Sequence, residues 1–301
     1  MKCLTSRLFA AASVALLATL PEPSVAQEGE PAVLARMRQI NNSLRAMGKK
    51  IAVQQMDFIT IGRGRPANRI HQSGARWVPN DPRRFADGNR LTYLVDRSAG
   101  ATTSGLTPAQ TEAAIDRAMA TWNANQCLKK VDLVKRPDSG DDPDIFDFFY
   151  GFGGYGDPYR ADIVNAGWLP AAFFDAVAGP GGGDGILAFS VTFIFLNDDG
   201  TPSDLDGDNY LDTALNEVYY NDTFGDPSGN WASSPWAINQ PLPAFDVQTI
   251  AFHENGHSLG LGHFGPPPSA LMNPVYGGIR QKAYPIDSAG MCAVYASWPR
   301  K

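Results

Sequence analysis

Three of the four histidines of this 301-residue chain lie within one stretch, HENGHSLGLGH, which runs from His253 to His263. The residues before it, FDVQTIAF, lead into it with a helical period. His253 and His257 are four residues apart, so both imidazoles project from the same face of that helix. Gly260 can take a positive φ and end the helix, after which His263 can turn back toward the other two. The stretch therefore predicts a helix and a tight turn that together gather three imidazoles.

Three gathered imidazoles are a donor set suited to zinc, because their ring nitrogens can reach one ion at about 2.0–2.1 Å. Three neutral histidines leave a fourth position open for water, as in catalytic zinc sites, and zinc lowers the pKa of that water toward about 7. Glu254 points about 100° away from His253 on a helix, so it can accept the water's proton without binding the metal. A structural zinc site would need a fourth protein ligand, usually cysteine, and the stretch contains none.

The same stretch matches H-E-x-x-H-x-x-G-x-x-H, the pattern of the metzincin metalloendopeptidases. SALMNPVY (269–276) resembles the Met-turn of that clan, and its form A-L-M-x-P-x-Y is most similar to the matrixins. LTYLVD, the helix that reaches Trp122, GPGGGDGILAF and IDSAGMCAVY are similar to matrixin segments in the same order. The resemblance covers roughly residues 90–301.

This resemblance implies an α+β, zincin-like catalytic domain with a twisted mixed sheet, a long backing helix and an active-site helix that ends at Gly260. It implies one catalytic zinc held by His253, His257 and His263, with Glu254 as the general acid/base and Met272 beneath the metal. It also implies that the strand around residues 186–190 is an edge strand that pairs with extended substrate. The residues expected to contact substrate are Leu187, Ala188, Pro274 and Tyr276.

The chain departs from the matrixin pattern in its metal positions. Matrixins usually carry a second, structural zinc on further histidines, but the matching positions here are Phe189 and Tyr219, so we predict no second zinc. The residue after the third ligand is Phe264, where matrixins usually have a small hydroxyl residue, and this leaves the subfamily open.

The N-terminal part of the chain has the organisation of an exported protein. Residues 1–26 combine Lys2 and Arg7, an apolar run and the ending PSVA, which is the layout of a signal peptide. The apolar run is shorter than the about 20 residues of a spanning helix, and no later run could cross a bilayer. We therefore predict a signal peptide (1–26), an extension or propeptide-like segment (27–90) and a metzincin-like protease domain (91–301), secreted to the extracellular space or the periplasm.

The extension has no cysteine that could block the zinc as a matrixin propeptide does. His71 or Asp57 could ligate the metal instead, or the extension could obstruct the cleft. It could equally pack on the domain or assist its folding. The remaining cysteines, Cys127 and Cys292, predict a disulfide in an oxidising compartment, with two buried free thiols as the alternative.

An acidic loop, DLDGDNYLD, is a candidate calcium site. Its carboxylates are Asp204, Asp206, Asp208 and Asp212, at positions 1, 3, 5 and 9. Alternating carboxylates on a turning backbone can converge on Ca²⁺, although the glycine falls at position 4 and position 12 is Leu215, unlike an EF-hand. The alternative is a solvated acidic turn.

These features predict a secreted zinc endopeptidase that acts on protein or peptide substrates as a monomer. The net charge of −6 argues against a nucleic-acid partner. The alternative is a secreted, calcium-stabilised binding protein on an inactive protease scaffold, with long aromatic loops such as FDFFYGFGGYGDPY. For secondary structure, the alternation in IAVQQMDFITIG predicts a strand at 51–62, and the pattern predicts further strands at 91–96 and 186–196. It also predicts helices at 107–123 and 286–298, and long loops around one strand in 137–185.

Overall fold

The protein is built on a mixed β-sheet that has seven strands in the described part of the chain. The computed structural model describes residues 32–62, 73–84, 88–138, 140–154, 160–265 and 269–299. The predicted signal peptide and His71 lie outside the described residues. The strands are β1 (Ile51–Thr60), β2 (Ala75–Arg76), β3 (Leu91–Val95), β4 (Leu133–Lys135), β5 (Ile163–Leu169), β6 (Ile186–Phe195), β7 (Leu211–Asn221), β8 (Trp236–Ala237) and β9 (Phe245–Asp246). The helices are α1 (Ala32–Ala46), α2 (Pro108–Asn123), α3 (Ala171–Ala178), α4 (Gly182–Gly185), α5 (Val247–Ser258) and α6 (Pro285–Tyr295), with a 3₁₀ helix at Asp147–Tyr150.

The sheet runs in the order β1-β6-β7-β5-β3-β4, with β2 paired to β7 outside this path and β8-β9 as a separate small sheet. β6 pairs antiparallel with both β1 and β7, whereas the β7-β5, β5-β3 and β3-β4 pairs are parallel. β5 and β6 are buried along their whole length, and β7 beyond its first residue. Strands covered on both faces are usually long apolar runs, as β6 is, whereas β7 also buries polar side chains such as Asn216 and Glu217. The predicted α+β class is confirmed.

One face of the sheet carries α5, which contains the first two histidines, and α2 behind it. Every residue of α5 is buried because the helix lies between α2 and the sheet. Trp122 of α2 donates its indole N–H to the carbonyl of Phe252 at 2.8 Å, and the two rings are 4.4 Å apart. Thr107 precedes α2, and its backbone N–H donates to the side chain of Gln110. α2 is therefore the predicted backing helix.

The opposite face is covered by α1, α3 and the 3₁₀ helix, which share a second apolar cluster with the sheet. Phe173 and Phe174 of α3 are completely buried there. The prediction of long loops around one strand in 137–185 is wrong for α3 and the 3₁₀ helix. Each spans eight residues or fewer, too short for the helical period to show among adjacent aromatics.

Residues 32–301 form one compact unit. Its two predicted cysteine partners, Cys127 and Cys292, form a disulfide across 165 residues, between the segment after α2 and helix α6. No helix in the described ranges is long and apolar enough to cross a membrane.

Candidate metal centre and substrate cleft

The three histidines converge as their spacing predicts. Their Nε2 atoms are separated by 3.1 Å between His253 and His257, 3.3 Å between His253 and His263, and 3.2 Å between His257 and His263. Two nitrogens bound to one tetrahedral zinc at about 2.05 Å would lie about 3.3 Å apart. The three atoms therefore already have the spacing of a tetrahedral zinc site.

Hydrogen bonds at the other ring nitrogen hold two of these imidazoles in the tautomer that a metal needs. His253 Nδ1 lies 2.8 Å from the carbonyl of Leu271, and His257 Nδ1 lies 2.7 Å from that of Leu261. A carbonyl can only accept, so each Nδ1 carries the proton and each Nε2 has a free lone pair. Burial lowers the pKa of His257 to about 4, so the ring is neutral at neutral pH.

Glu254 lies beside the three nitrogens in a site closed to water. Its side chain is completely buried, and neither carboxylate oxygen has a hydrogen-bond partner of normal geometry. Burial, with the nearby Asp57 carboxylate adding to it, raises the pKa of Glu254 well above its usual value. The backbone N–H of Ile59 acts in the other direction, because it lies close enough to favour the charged carboxylate. A carboxyl with a raised pKa next to a metal-binding triad is suited to accept and return a proton.

The floor of the site is formed by Met272, as the Met-turn resemblance implies. Met272 is completely buried, and a Cβ added to Gly256 of α5 would lie 2.5 Å from its sulfur. Only glycine at 256 lets the methionine approach this closely. Gly260 has φ +90°, and its N–H donates to the carbonyl of His257, which ends the helix where predicted.

Asp287 of α6 fixes this floor, and the sequence analysis missed it. Its carboxylate accepts from the backbone N–H groups of Leu271 (2.9 Å), Met272 (3.3 Å) and Tyr284 (2.8 Å). The side chain is completely buried. The signal available in the sequence was an aspartate in the first turn of the closing helix, which by itself does not distinguish a cap from an anchor.

The sequence model of the family described as Matrixin matches residues 84–296, more than two thirds of the chain. The chain belongs to the matrixin family. This membership implies a zinc-dependent metallopeptidase that acts on peptide substrates. None of the curated proteins matches this matrixin in sequence.

The predicted substrate residues of this matrixin lie on two facing walls. Leu187 and Ala188 belong to β6, and Pro274 and Tyr276 lie on the segment after the Met-turn. The hydroxyl of Tyr276 accepts from the N–H of Asp246, which caps α5. The second wall is thereby tied to the start of the active-site helix.

The resemblance implies that β6 is an edge strand, and this expectation is wrong. In this matrixin residues 51–60 form β1, which covers that edge of β6. β1 pairs with β6 over its whole length, with Ile59 opposite Ala188 and Thr60 opposite Ile186. Leu187 is the extra residue of a bulge at this point. The N-terminal extension supplies the edge strand because its own alternating residues complete the apolar cluster on the α1 side.

Asp57, one of the proposed latency residues, lies next to the histidines. Its carboxylate oxygens are 3.7 Å from Nδ1 of His257 and 3.9 Å from Nδ1 of His263. Gln55 donates to the same carboxylate at 2.6 Å. The carboxylate therefore lies beside the imidazole rings, and it is not part of the cluster that the three histidines form.

The positions where matrixins usually bind a second zinc hold aromatic rings. Phe189 of β6 and Tyr219 of β7 are paired on adjacent strands, and their rings stack with centroids 5.3 Å apart and planes 26° apart. Both are completely buried in the cluster that includes Phe173. The absence of a second zinc remains a prediction.

The acidic loop brings together three of its four predicted calcium ligands. Asp204, Asp206 and Asp212 each place one carboxylate oxygen within 4.8 Å of the others. Asp208 is outside this group, and its carboxylate lies 3.5 Å from Arg76. Asp212 is also paired with Arg83 at 2.6 Å. Part of the negative charge of the loop is thus balanced by arginine.

Proposed function

We propose that this matrixin is an exported endopeptidase that holds one catalytic zinc on Nε2 of His253, His257 and His263. The observation that carries the proposal is the spacing of these three atoms, 3.1 to 3.3 Å, with two of the rings fixed through Nδ1. Three lone pairs this close repel one another unless a cation lies between them. The donor set of three neutral imidazoles suits zinc.

When bound, zinc supplies a Lewis acid and lowers the pKa of a coordinated water. The part of Glu254 is to take a proton from the attacking water and deliver it to the leaving amine. Its burial supports this role, because the raised pKa lets the carboxyl hold a proton near neutral pH. Asp287 holds the Met-turn in place, and Met272 of that turn packs against α5 at Gly256, beneath this site.

The substrate chain lies between Leu187 and Ala188 on one wall and Pro274 and Tyr276 on the other. The edge of β6 is occupied by β1, so it offers backbone hydrogen bonds to an extended peptide only when β1 is displaced. Backbone pairing accepts many sequences, so side-chain preference comes from the pocket beside Tyr276. The substrates are proteins or peptides, and the enzyme acts as a monomer.

Export is proposed from the signal-peptide layout of residues 1–26, and the Cys127–Cys292 disulfide supports it because such bonds persist in oxidising compartments. Calcium is proposed as a structural ion of the acidic loop, supported by the convergence of Asp204, Asp206 and Asp212.

The second candidate function is a calcium-stabilised binding protein on an inactive scaffold. The exposed Phe148, in the aromatic loop before β5, is an observation in its favour. The presence of Glu254 together with all three histidines favours the enzyme.

The test compares casein cleavage and bound zinc in the mature chain and its Glu254→Ala variant, with calcium supplied and a chelator control. An exposed-site variant, Asp132→Asn, controls for the loss of a carboxylate. We expect cleavage that depends on zinc and falls by at least about 100-fold in Glu254→Ala, while zinc stays near one per chain. Because the extension borders the cleft, the comparison is repeated in a background that opens β1, described below. Full zinc occupancy without Glu254-dependent cleavage in both backgrounds would favour the binding protein.

A further inference from the structure

We propose that β1 occupies the substrate cleft as an extended peptide would, with Ile59 in the pocket beside Tyr276. The proposal deepens the endopeptidase function and rests on it. It names the regulation of that site: the chain's own extension fills the cleft and keeps other peptides out.

The backbone of β1 bonds to both walls of the cleft at Thr60. On one side β1 runs antiparallel to β6, and the N–H of Ile61 donates to the carbonyl of Gly185 at 3.1 Å. On the other side Thr60 forms a parallel bridge with the wall segment. Its N–H donates to the carbonyl of Pro274, and its carbonyl accepts from the N–H of Tyr276, both at 2.9 Å. Main-chain bonding on two sides is how an extended peptide is held by strand addition.

The side chains of β1 alternate between the two faces of the sheet. Phe58 faces the aromatic cluster, with its ring 5.4 Å from that of Phe189. Asp57 and Ile59 face α5, where Asp57 lies beside the imidazoles. Ile59 is only 2% exposed and belongs to the core cluster that includes Leu187 and Tyr276. A side chain of the extension thus fills the space that the two predicted substrate walls enclose.

The bonds of Thr60 set the register of β1 in the cleft. Both its N–H and its carbonyl bond to the wall segment that carries Pro274 and Tyr276. Ile59, the residue before it, is buried in the core cluster that contains Tyr276. We therefore place the side chain of Ile59 in the pocket beside Tyr276.

This placement of β1 has a consequence for activity. Other peptides cannot enter the cleft while β1 lies in it, so the chain with its extension is latent without a blocking cysteine.

The test uses the full mature chain with Ile59→Asp, and Gln54→Asp as the matched control. Gln54 lies on the same strand but is exposed, so its variant adds the same charge outside the cleft. A carboxylate in the pocket beside Glu254 disfavours the docked strand, and casein cleavage should rise about tenfold or more over the parent and Gln54→Asp. If Ile59→Asp does not fold, Ile59→Gly opens the pocket without a charge.

Hydrogen exchange gives a readout that needs neither zinc nor activity. In the zinc-depleted parent the amides of Thr60 and Tyr276 should be protected, and Ile59→Asp should expose both while Gln54→Asp exposes neither. Unprotected amides in the parent would overturn the proposal, as would cleavage by the parent at the rate of the opened variant. Opened amides without Glu254-dependent cleavage would instead place the failure in the proposed endopeptidase function, because β1 would still be shown to occupy the cleft.

A second, independent observation lies on the opposite face of the sheet, where several carboxylates are buried together. We infer that Asp96, Asp142 and Asp144 bind a hard divalent cation of the Ca²⁺ class. Each places one carboxylate oxygen within 4.8 Å of the others. Oxygens that share one Ca²⁺ at about 2.3–2.6 Å lie no more than about 5 Å apart. The donors are all oxygen, which favours calcium over zinc.

Asp144 is the decisive member of this cluster. It is completely buried, and neither of its carboxylate oxygens has a hydrogen-bond partner. Asp96 accepts from the N–H and hydroxyl of Ser98, and Asp142 accepts from the N–H of Gly154. A buried carboxylate without partners is costly unless a cation or a proton neutralises it.

The groups around the cluster are themselves acidic. Asp147 is buried with one oxygen unpartnered, and Glu217 accepts from the N–H groups of Ile145 and Phe146 and from the hydroxyl of Tyr219. No lysine or arginine in the described ranges forms an ion pair with any of these carboxylates. Within the described part of the chain, the neutralising charge is left to a bound cation or to shared protons.

Calcium titration by calorimetry and thermal unfolding of the full chain separate these two cases. The acidic loop is first silenced with Asp204→Asn, and Asp144→Asn is then compared with Asp132→Asn, an exposed control. We expect Asp144→Asn to lose one calcium per chain and the calcium-dependent rise in unfolding temperature, whereas Asp132→Asn keeps both. In chelator, Asp144→Asn should unfold at a higher temperature than its background, because an uncompensated carboxylate is gone. Equal calcium binding with and without Asp144→Asn, confirmed by Asp142→Asn, would overturn the site.

Discussion

The histidine centre and the buried carboxylate cluster lie on opposite faces of one sheet, and burial affects them in opposite ways. Burial lowers the pKa of His257 to about 4 and of His263 to about 2, because the protonated imidazole is the charged form. Burial raises the pKa of Asp96 to about 6 and of Glu217 to about 8, because the deprotonated carboxyl is the charged form. One physical cause thus leaves the histidines neutral and the carboxylates in need of a partner.

Because the histidines are neutral and the carboxylates need a neutralising partner, the two proposed metal ions have different roles. Neutral imidazoles repel one another only through their lone pairs, and two of the three are held by carbonyls, so the loss of zinc costs the fold little and zinc serves chemistry more than folding. Carboxylates without partners are stable together only with a cation or with protons, so a cation there serves the fold.

The largest expected effect comes from the loss of a zinc ligand, and it tests whether the two clusters have different roles. His257→Ala removes one zinc ligand, whereas Asp144→Asn removes one member of the acidic cluster. In the opened Ile59→Asp background we expect His257→Ala to lose zinc and to reduce casein cleavage by about 1000-fold or more. Asp144→Asn should keep zinc and most of the activity when calcium is supplied. Metal analysis beside the cleavage assay checks both, and equal losses in the two variants would contradict the division of duties.

The next largest effect concerns one glycine beside each cluster, Gly154 at the carboxylates and Gly256 at the histidines. A Cβ on Gly154 would lie 2.6 Å from the carbonyl of Asp144, at a backbone φ of +73°, so Gly154→Ala should cost about 3 kcal/mol of unfolding free energy. A Cβ on Gly256 meets the flexible end of Met272, and alanine favours the helix, so Gly256→Ala should cost only about 1 kcal/mol. Denaturant unfolding of both variants measures the difference. A larger loss for Gly256→Ala would mean that the floor of the histidine centre is the more rigid of the two.

The two clusters also differ in how far the sequence predicts them. The histidines, Glu254 and the end of the helix at Gly260 lie in one continuous stretch, where helical spacing alone places the side chains. Asp96 follows β3, whereas Asp144 lies in the segment before the 3₁₀ helix. That segment is held against the sheet by Glu217 of β7, which accepts from the N–H groups of Ile145 and Phe146, so the two aspartates meet only in the folded chain. No local period encodes such a meeting.

The extension shows the same limit. Alternation predicted β1 as a strand, and this is confirmed. Its partner was not predictable, because period 2 specifies which residues share a face and not which strand lies beside them. The pairing of Thr60 with both cleft walls is a property of the folded chain.

A smaller effect is the pH dependence of the metal-free protein. Above about pH 7.5 the unfolded histidines and carboxyls have lost nearly all of their protons, whereas folded Glu217, with a pKa of about 8, still binds its proton in a large fraction of molecules. The folded state binds more protons, so the unfolding free energy falls as pH rises, by up to about 1.4 kcal/mol per pH unit for each retained proton. Glu217→Gln should flatten this slope, and calcium should remove it. Below about pH 7.5 His257 contributes a slope of the opposite sign, because the unfolded histidine binds a proton that the folded one, with a pKa of about 4, does not.

Urea unfolding in chelator at several pH values measures that slope. A stability that rises from pH 7.5 to 8.5 would mean that the carboxylates are ionised without penalty, and the contrast with the histidines would fail.

The smallest effect is expected in the acidic loop, whose carboxylates are more exposed than those of the buried cluster. Asp204 is exposed and accepts from the N–H groups of Asp208 and Asn209, while Arg83 already balances Asp212. Without calcium, Asp204→Asn should change the unfolding free energy by less than about 0.5 kcal/mol, because water and arginine already satisfy the loop. Thermal unfolding in chelator checks this, with Asp144→Asn alongside. If Asp204→Asn stabilised the protein as much as Asp144→Asn, repulsion among carboxylates would matter equally in exposed and buried sites, and burial would no longer explain why the inner cluster needs a cation.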